Sequence, residues 1–447
     1  MLDIAEQLEG VMPTALYGSV ARTVGMTVSA AGFPAPVGAV AEIERETGAP
    51  LPAEVIGFRD DMTLLYPFAD MNGVRRGNRV RLARTTRRLR IGPEMLGRVF
   101  NAQGVAVDQK PQPVLAERTI INREPPHPCT RPRIHDSLST GIRAMDGLLT
   151  CGKGQRMGIF AGSGVGKSVL LGMMARYTSA DVNVIALIGE RGREVNEFIE
   201  RDLGPEGLAR SVVVVATSNE PAILRTQAAQ TATAIAEYFR DQGKDVMLMM
   251  DSLTRFALAQ REIGLAAGEP PTTRGFPPSV FAVLPKLVER AGRSSRGSIT
   301  AFYTVLVEAD DPNEPIADTV RGLIDGHTWL SRRLASRTHY PAIDVLESLS
   351  RLMTEVTTPE HRRAGQAVRE LLAVYRDHED LISIGAYRRG SNKLVDISID
   401  MLDDMNKFLR QQVDQRSSVE DARAGLVQLF QIYSAKLGAP SVGAPKT

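Results

Sequence analysis

The run Ala161-Gly162-Ser163-Gly164-Val165-Gly166-Lys167-Ser168 joins an apolar segment, RMGIFA, to a helical one, SVLLGMMARY. Few local patterns constrain a chain more. Gly162, Gly164 and Gly166 let the backbone wrap an anion and aim its N–H groups inward. The start of the helix adds positive potential at the same place. Lys167 is positioned to reach the β- and γ-phosphates of a nucleotide, and the Ser168 hydroxyl to ligate Mg²⁺. The strict pattern begins with Gly; here Ala161 holds that place, where a small residue suffices. A phosphate loop of this kind requires a buried strand before it and a helix after it.

The surrounding text supplies that context. From about residue 155, apolar runs (RMGIFA, VNVIALIG, SVVVVAT, VMLMMD, ITAFYTVLV) alternate with helical stretches such as EVNEFIERDL and PAILRTQAAQTATAIAEYFRDQG. Near-continuous apolar strands between amphipathic helices predict a parallel sheet covered on both faces. Met247, Met249 and Met250 are then sheet core. The chain of 447 residues has room for roughly three domains. Upstream, about 21–97, short alternating pieces (TVGMTVSA, AEVIGF, NRVRLA) separated by turn residues predict antiparallel strands closing as a barrel or sandwich. A Pro-rich linker, REPPHPCTRPR, covers 123–133, and His127 and Cys129 read as linker residues rather than ligands. After about 352 the strands stop and three helical stretches predict a helical C-terminal domain.

Composition narrows the function classes. Lys and Arg number 54 against 52 Asp and Glu, a net charge of +2, which gives no bulk argument for nucleic acid or an anionic membrane. Aromatic residues are only 5%, so a stacking surface for single-stranded nucleic acid is not expected either. Cys129 and Cys151 have no metal-site or disulfide spacing. The first residues, MLDIAEQLEGVMPTALYG, lack the basic start and apolar stretch of a secretory signal, and no apolar run approaches the roughly 20 residues needed to span a bilayer. A cytoplasmic protein is expected, with any membrane association made through partners.

Two acids complete the candidate chemistry. Asp251 ends the run DVMLMMD at the carboxyl edge of the predicted sheet, where it can hold Mg²⁺ through water. Alternatively it caps the helix beginning SLTRFALAQ. Glu190 follows VNVIALIG at the same edge, where a carboxylate can polarise the water that attacks a γ-phosphate. By position alone, Glu190, Arg191, Arg193 and Glu194 also fit a solvated charged loop.

One long motif is more specific. PAIDVLESLSR (341–351) resembles the signature shared by rotary ATP synthase alpha and beta subunits and their relatives. Within that group, residues 139–168, DSLTRFALAQREIG (251–264) and PPSVFAVLPKLVERAG (277–292) resemble the ATPases of type III export, and ISIGAYRRGSN (382–392) resembles the flagellar members more than the virulence ones. The resemblance covers nearly the whole chain. It implies an α/β P-loop NTPase (RecA-like) core over 98–352, an N-terminal β-barrel at 21–97 and a C-terminal helical domain at 353–447. It implies a homohexamer that hydrolyses ATP with Mg²⁺ between subunits. Glu190 then matches the catalytic glutamate, Arg191 a phosphate contact, Arg351 the arginine that reaches a neighbour's γ-phosphate, and Tyr340 a residue packing on adenine. Taken alone, Arg351 also fits a surface arginine and Tyr340 a core aromatic. Residues 1–20 match an arm for a regulatory, stator-like subunit, although Leu2, Ile4, Leu8 and Val11 would equally let a short helix dock on its own barrel. A central stalk protein, export chaperones with their substrates, and a membrane export gate are the other implied partners, which would hold the protein at the inner face of the cytoplasmic membrane. The alternatives are a virulence type III ATPase and the catalytic subunit of a proton-translocating rotary ATPase.

Overall fold

The computed structural model describes residues 15–307 and 314–438. Most of the expected N-terminal arm, including its apolar face, lies outside the described residues. The first layer is a closed barrel of six antiparallel strands: Tyr17–Val24, Thr27–Ala31, Val40–Ile43, Leu51–Arg59, Met62–Pro67 and Arg79–Arg84. Around the ring they run first, second, fifth, fourth, third, sixth, and the sixth closes on the first. Alternation drives the closure. Leu51, Ala53 and Val55 point inward against Val28, Ala30, Ile43, Leu65 and Val80, while the residues between them stay partly exposed. Small alanines leave room for the larger aliphatics inside, and closure removes the unpaired sheet edges.

The barrel strands thus occupy 17–84, against the expected 21–97. Two later short strands of the same appearance go elsewhere. Arg88–Ile91 pairs with Glu117–Ile120, and Arg98–Asn101 joins the outer edge of the central sheet beside Ser211–Thr217. A short alternating strand carries its face in its sequence but not its partner, which long-range pairing decides.

The central sheet runs, edge to edge, Ile343–Ser350, Gly326–Leu330, Arg156–Ala161, Ser298–Leu306, Asp245–Asp251, Val182–Glu190, Ser211–Thr217, Arg98–Asn101. All neighbours along this path are parallel except Ile343–Ser350, which runs antiparallel on Gly326–Leu330. Both faces are covered, and the strands are apolar throughout for that reason. Leu248 and Met250 face one cluster with the helices Ala222–Asp241, Leu253–Ala267 and Pro278–Val288. Met247 and Met249 face the other with the helices Arg143–Leu148 and Lys167–Tyr177. The methionines are sheet core on both sides.

The linker at 123–133 is extended apart from one turn at Pro128–Thr130, and the Arg131 guanidinium ties its end to the Ala291 carbonyl at 2.7 Å. The C-terminal helices are Pro359–Ser383, Lys393–Leu409 and Val419–Gly438. Met401, Met405, Phe408 and Leu426 join the cluster that holds the helix Arg143–Leu148, so this domain shares its core with the central one. Gly147 permits the approach, since a Cβ there would lie 2.9 Å from the Phe408 ring. No described helix is long and apolar enough to cross a membrane.

Candidate active site

The strand Arg156–Ala161 delivers its last residue, buried, to the carboxyl edge of the sheet. There the chain turns through the phosphate loop. Gly164 and Gly166 adopt left-handed φ values of 79° and 89°, which a side chain at either place would strain. Gly166 caps the helix Lys167–Tyr177 without a side-chain bond, leaving first-turn N–H groups for an anion. Ser163 and Ser168 are exposed, and Val165 is buried beneath the loop.

Lys167 lies between two acids. Its Nζ contacts Asp251 Oδ1 and stands 3.7 Å from Glu190 Oε1. The three side chains are only 13%, 5% and 14% exposed respectively, so the charges interact in a poorly solvated place. The helix after Asp251 is capped by Ser252, whose hydroxyl accepts from Arg255 N–H at 3.3 Å. Asp251 is therefore not the cap. The strands of Asp251 and the phosphate loop are not adjacent: Ser298–Leu306 lies between them, and its Thr304 hydroxyl donates to Asp251 Oδ1 at 2.7 Å. Neither the lysine nor the threonine contact uses Oδ2.

Glu190 ends the strand Val182–Glu190 beyond a bulge. Burial and the nearby Asp251 charge push its carboxyl up to about 7, a Glu194 hydrogen bond adds to this, and Lys167 and Arg255 oppose it. Such a group is poised between its two protonation states near neutral pH. Arg191 is 80% exposed, with Nη1 3.4 Å from Glu194 Oε1.

Lys167, Ser168, Glu190 and Arg191 line a cavity of about 650 Å³ together with Thr254, Arg255 and Arg332. Sequence reasoning missed Arg255, Thr304 and Arg332. Arg255 packs against Gly189, whose φ of 68° and missing Cβ admit it, and its Nε is buried without a hydrogen-bond partner. A signal was available, since Arg255 lies inside the DSLTRFALAQREIG stretch, one turn after Asp251. Thr304 gave none, being one polar residue in an apolar strand.

Tyr340 sits on the other side of the loop. It is 46% exposed, so it is not core. Its ring lies 3.5 Å from where a Cβ on Gly166 would be. It lines a second pocket of about 480 Å³ with Val169, Met173 and the segment Arg410–Val413. Gly164 and Gly166 border both cavities, which open on either side of one loop.

Arg351 is not brought to this site. It follows the antiparallel edge strand, where Ser350 pairs with Gly326, while Ala161 pairs with Leu330 at the other end. At about 3.3 Å per residue, the four steps from Gly326 to Leu330 separate these two levels of the sheet by about 13 Å. Arg351 is exposed there, its N–H bonded to the Asp325 carbonyl at 3.0 Å.

Residues 141–350 match the ATP synthase alpha/beta family, nucleotide-binding domain, and residues 357–428 match the T3SS EscN ATPase C-terminal domain. The chain is 51% identical to the flagellum-specific ATP synthase of Bacillus subtilis (strain 168), covering 92% of this chain and 95% of that protein. It is 53% identical to the type 3 secretion system ATPase of Xanthomonas euvesicatoria, covering 91% and 92%. Among solved structures it superimposes on the assembled ATPase EscN of the enteropathogenic E. coli type III secretion system with a TM-score of 0.88 at 46% identity, covering 92% of this chain and 99% of that one. A second structure holds EscN in complex with its central stalk EscO, with a TM-score of 0.86. The chain belongs to the family of flagellum-specific ATP synthases and type III secretion ATPases, built on the ATP synthase alpha/beta nucleotide-binding domain.

Proposed function

We propose that the chain is the ATPase of a flagellar type III export apparatus, hydrolysing ATP between copies of itself to release export substrates from chaperones and load them into a membrane gate. The observation that carries the catalytic reading is the placement of Lys167 between Asp251 and Glu190 at the mouth of the phosphate loop. In the nucleotide-free protein the two acids share the single ammonium of Lys167. A bound triphosphate competes for the lysine through its β- and γ-oxygens and so frees Glu190 to orient the attacking water. Loop N–H groups and Lys167 stabilise the charge that develops on the γ-phosphate. Arg191 and Arg255 border the same cavity and add positive charge there.

The donor set fits magnesium. Ser168 and Asp251 offer oxygens only, the donor type that a hard cation such as magnesium takes. When bound, Mg²⁺ neutralises phosphate charge, with Ser168 and Asp251 as its protein partners. Arg351 supplies the finger from a neighbouring copy, because its place at the opposite end of the sheet serves no site of its own. A homohexameric ring satisfies every interface with one kind of chain. EscN has been solved both assembled and with a central stalk, which supports the ring and the stalk as partners here. The regulatory subunit at residues 1–20, the chaperones, the gate and the cytoplasmic location at the membrane's inner face follow the same family reading, with no nucleic acid involved. Virulence export is the second reading, since flagellar and virulence relatives match at nearly equal identity. The ISIGAYRRGSN segment favours the flagellar one.

A steady-state ATPase assay with Mg²⁺ tests the reading. Lys167→Ala is expected to abolish nucleotide binding and turnover; nucleotide affinity within a few-fold of the unaltered protein would refute the phosphate role. The pH profile is a second check. Below about pH 7 Glu190 of the free protein is protonated and carries no charge to align water. Because kcat/KM reports the free protein, it is expected to rise with pH through about 7. The residual rate of Glu190→Gln should lack this limb, and its persistence there would assign the titration to another group.

A further inference from the structure

Two donors hold the Asp251 carboxylate, and nucleotide binding calls one of them away. Among the described residues its hydrogen bonds come from Lys167 Nζ and from the Thr304 hydroxyl, the latter at 2.7 Å, and both reach Oδ1. A triphosphate that draws Lys167 to its own oxygens leaves Thr304 as the remaining donor of the two. The acid it must hold is nearly dry, its side chain being 5% exposed.

The sheet sets this contact. The strand Ser298–Leu306 runs between the strand of the phosphate loop and that of Asp251, with Thr304 level with Ile159 and Tyr303 level with Met250. Side chains alternate, so Thr304 shares the face of Phe302, and Asp251 that of Met247 and Met249. Those three apolar residues pack in the cluster beneath the helix Lys167–Tyr177, whereas Tyr303 and Val305 join the opposite one. Two residues on, the Thr254 hydroxyl accepts from Leu306 N–H at 2.9 Å and pins the end of the strand. Thr304 is fully buried. Valine has nearly its shape and would suit the apolar run, so packing does not call for the hydroxyl. The hydroxyl also lies 3.3 Å from the Met250 carbonyl, but the carboxylate is both nearer and charged, and takes the proton.

We propose that Thr304 is a positioning residue for the magnesium-binding acid. It fixes the carboxylate through Oδ1 and keeps Oδ2 available to the cation once Lys167 has turned to phosphate. This rests on the reading of Asp251 as a protein partner of Mg²⁺. Thr304 itself touches neither nucleotide nor metal; it acts through Asp251.

Calorimetric titration of the full chain with ADP, once in Mg²⁺ and once in EDTA, tests the inference. The ratio of the two affinities is the metal's share of binding. Thr304→Val is expected to lower that ratio about tenfold and to leave the affinity in EDTA unchanged. Thr304→Ser, which keeps the hydroxyl, should keep most of the ratio. An unchanged ratio in Thr304→Val overturns the proposal. So does an equal loss in Mg²⁺ and in EDTA, which is what a damaged phosphate loop or fold produces, and so does a serine variant as impaired as the valine one. Asp251→Asn separates the two readings. If it lowers the ratio while Thr304→Val does not, the metal role of Asp251 stands and that of Thr304 falls. If neither variant lowers the ratio, Asp251 is no partner of the metal and both readings fall.

Discussion

Glu190→Gln is expected to bind ATP as tightly as the unaltered protein or somewhat tighter, and to turn it over at least about a hundredfold more slowly. The substitution keeps the shape of the side chain at the end of its strand. It removes one negative charge from a cavity that must take a triphosphate, so binding loses nothing. Lys167 keeps its contact with Asp251, so the phosphate loop stays in place. What disappears is the carboxylate that aligns water, a contribution of about 10²–10⁴ in rate for positioned acids and bases. Equilibrium binding with a fluorescent ATP analogue and a steady-state phosphate-release assay separate the two effects. Near-normal turnover would remove Glu190 from its proposed role.

Arg351→Ala should reduce turnover by about 10³ or more while leaving nucleotide binding to the isolated chain intact. The argument is geometric. The residue is exposed at the amino end of the parallel strands, and the phosphate loop is at the carboxyl end. A charge about 13 Å or more away across a packed sheet does little for a reacting phosphate in the same chain. The same charge brought against the cavity by an adjoining copy meets the γ-phosphate as its charge develops, where a cation is worth most. A loss of only two- or threefold would leave Arg351 as an ordinary surface arginine.

The three-part architecture was legible in the sequence because each part has its own hydrophobic period. Leu51, Ala53 and Val55 alternate as a barrel strand must, and VNVIALIG is apolar at every position because both faces of its strand are covered. The phosphate loop was legible because its chemistry is local: eight consecutive residues carry the turn, the N–H groups and the lysine. Glu190 and Asp251 could be named because apolar runs ending in an acid mark the carboxyl edge of a parallel sheet. The strand inserted between Asp251 and the phosphate loop was not legible, and neither was Thr304, which meets Asp251 across 53 residues. Strand order is decided by crossovers that leave no trace in a local pattern. For the same reason PAIDVLESLSR could be recognised as a motif without revealing that it forms the antiparallel edge strand carrying Arg351 away from its own phosphate loop.

Mixing two inactive variants tests most directly whether two copies share one site. Lys167→Ala lacks the phosphate grip, and Arg351→Ala lacks the finger. Assembled together, some interfaces pair the Lys167 of one chain with the Arg351 of the other. Measured at constant total protein over a range of mixing ratios, ATPase activity should rise above that of either variant alone and peak at an intermediate ratio. Activity that stays at the weighted average of the two variants at every ratio, in rings shown to contain both chains, would contradict a site shared between neighbours.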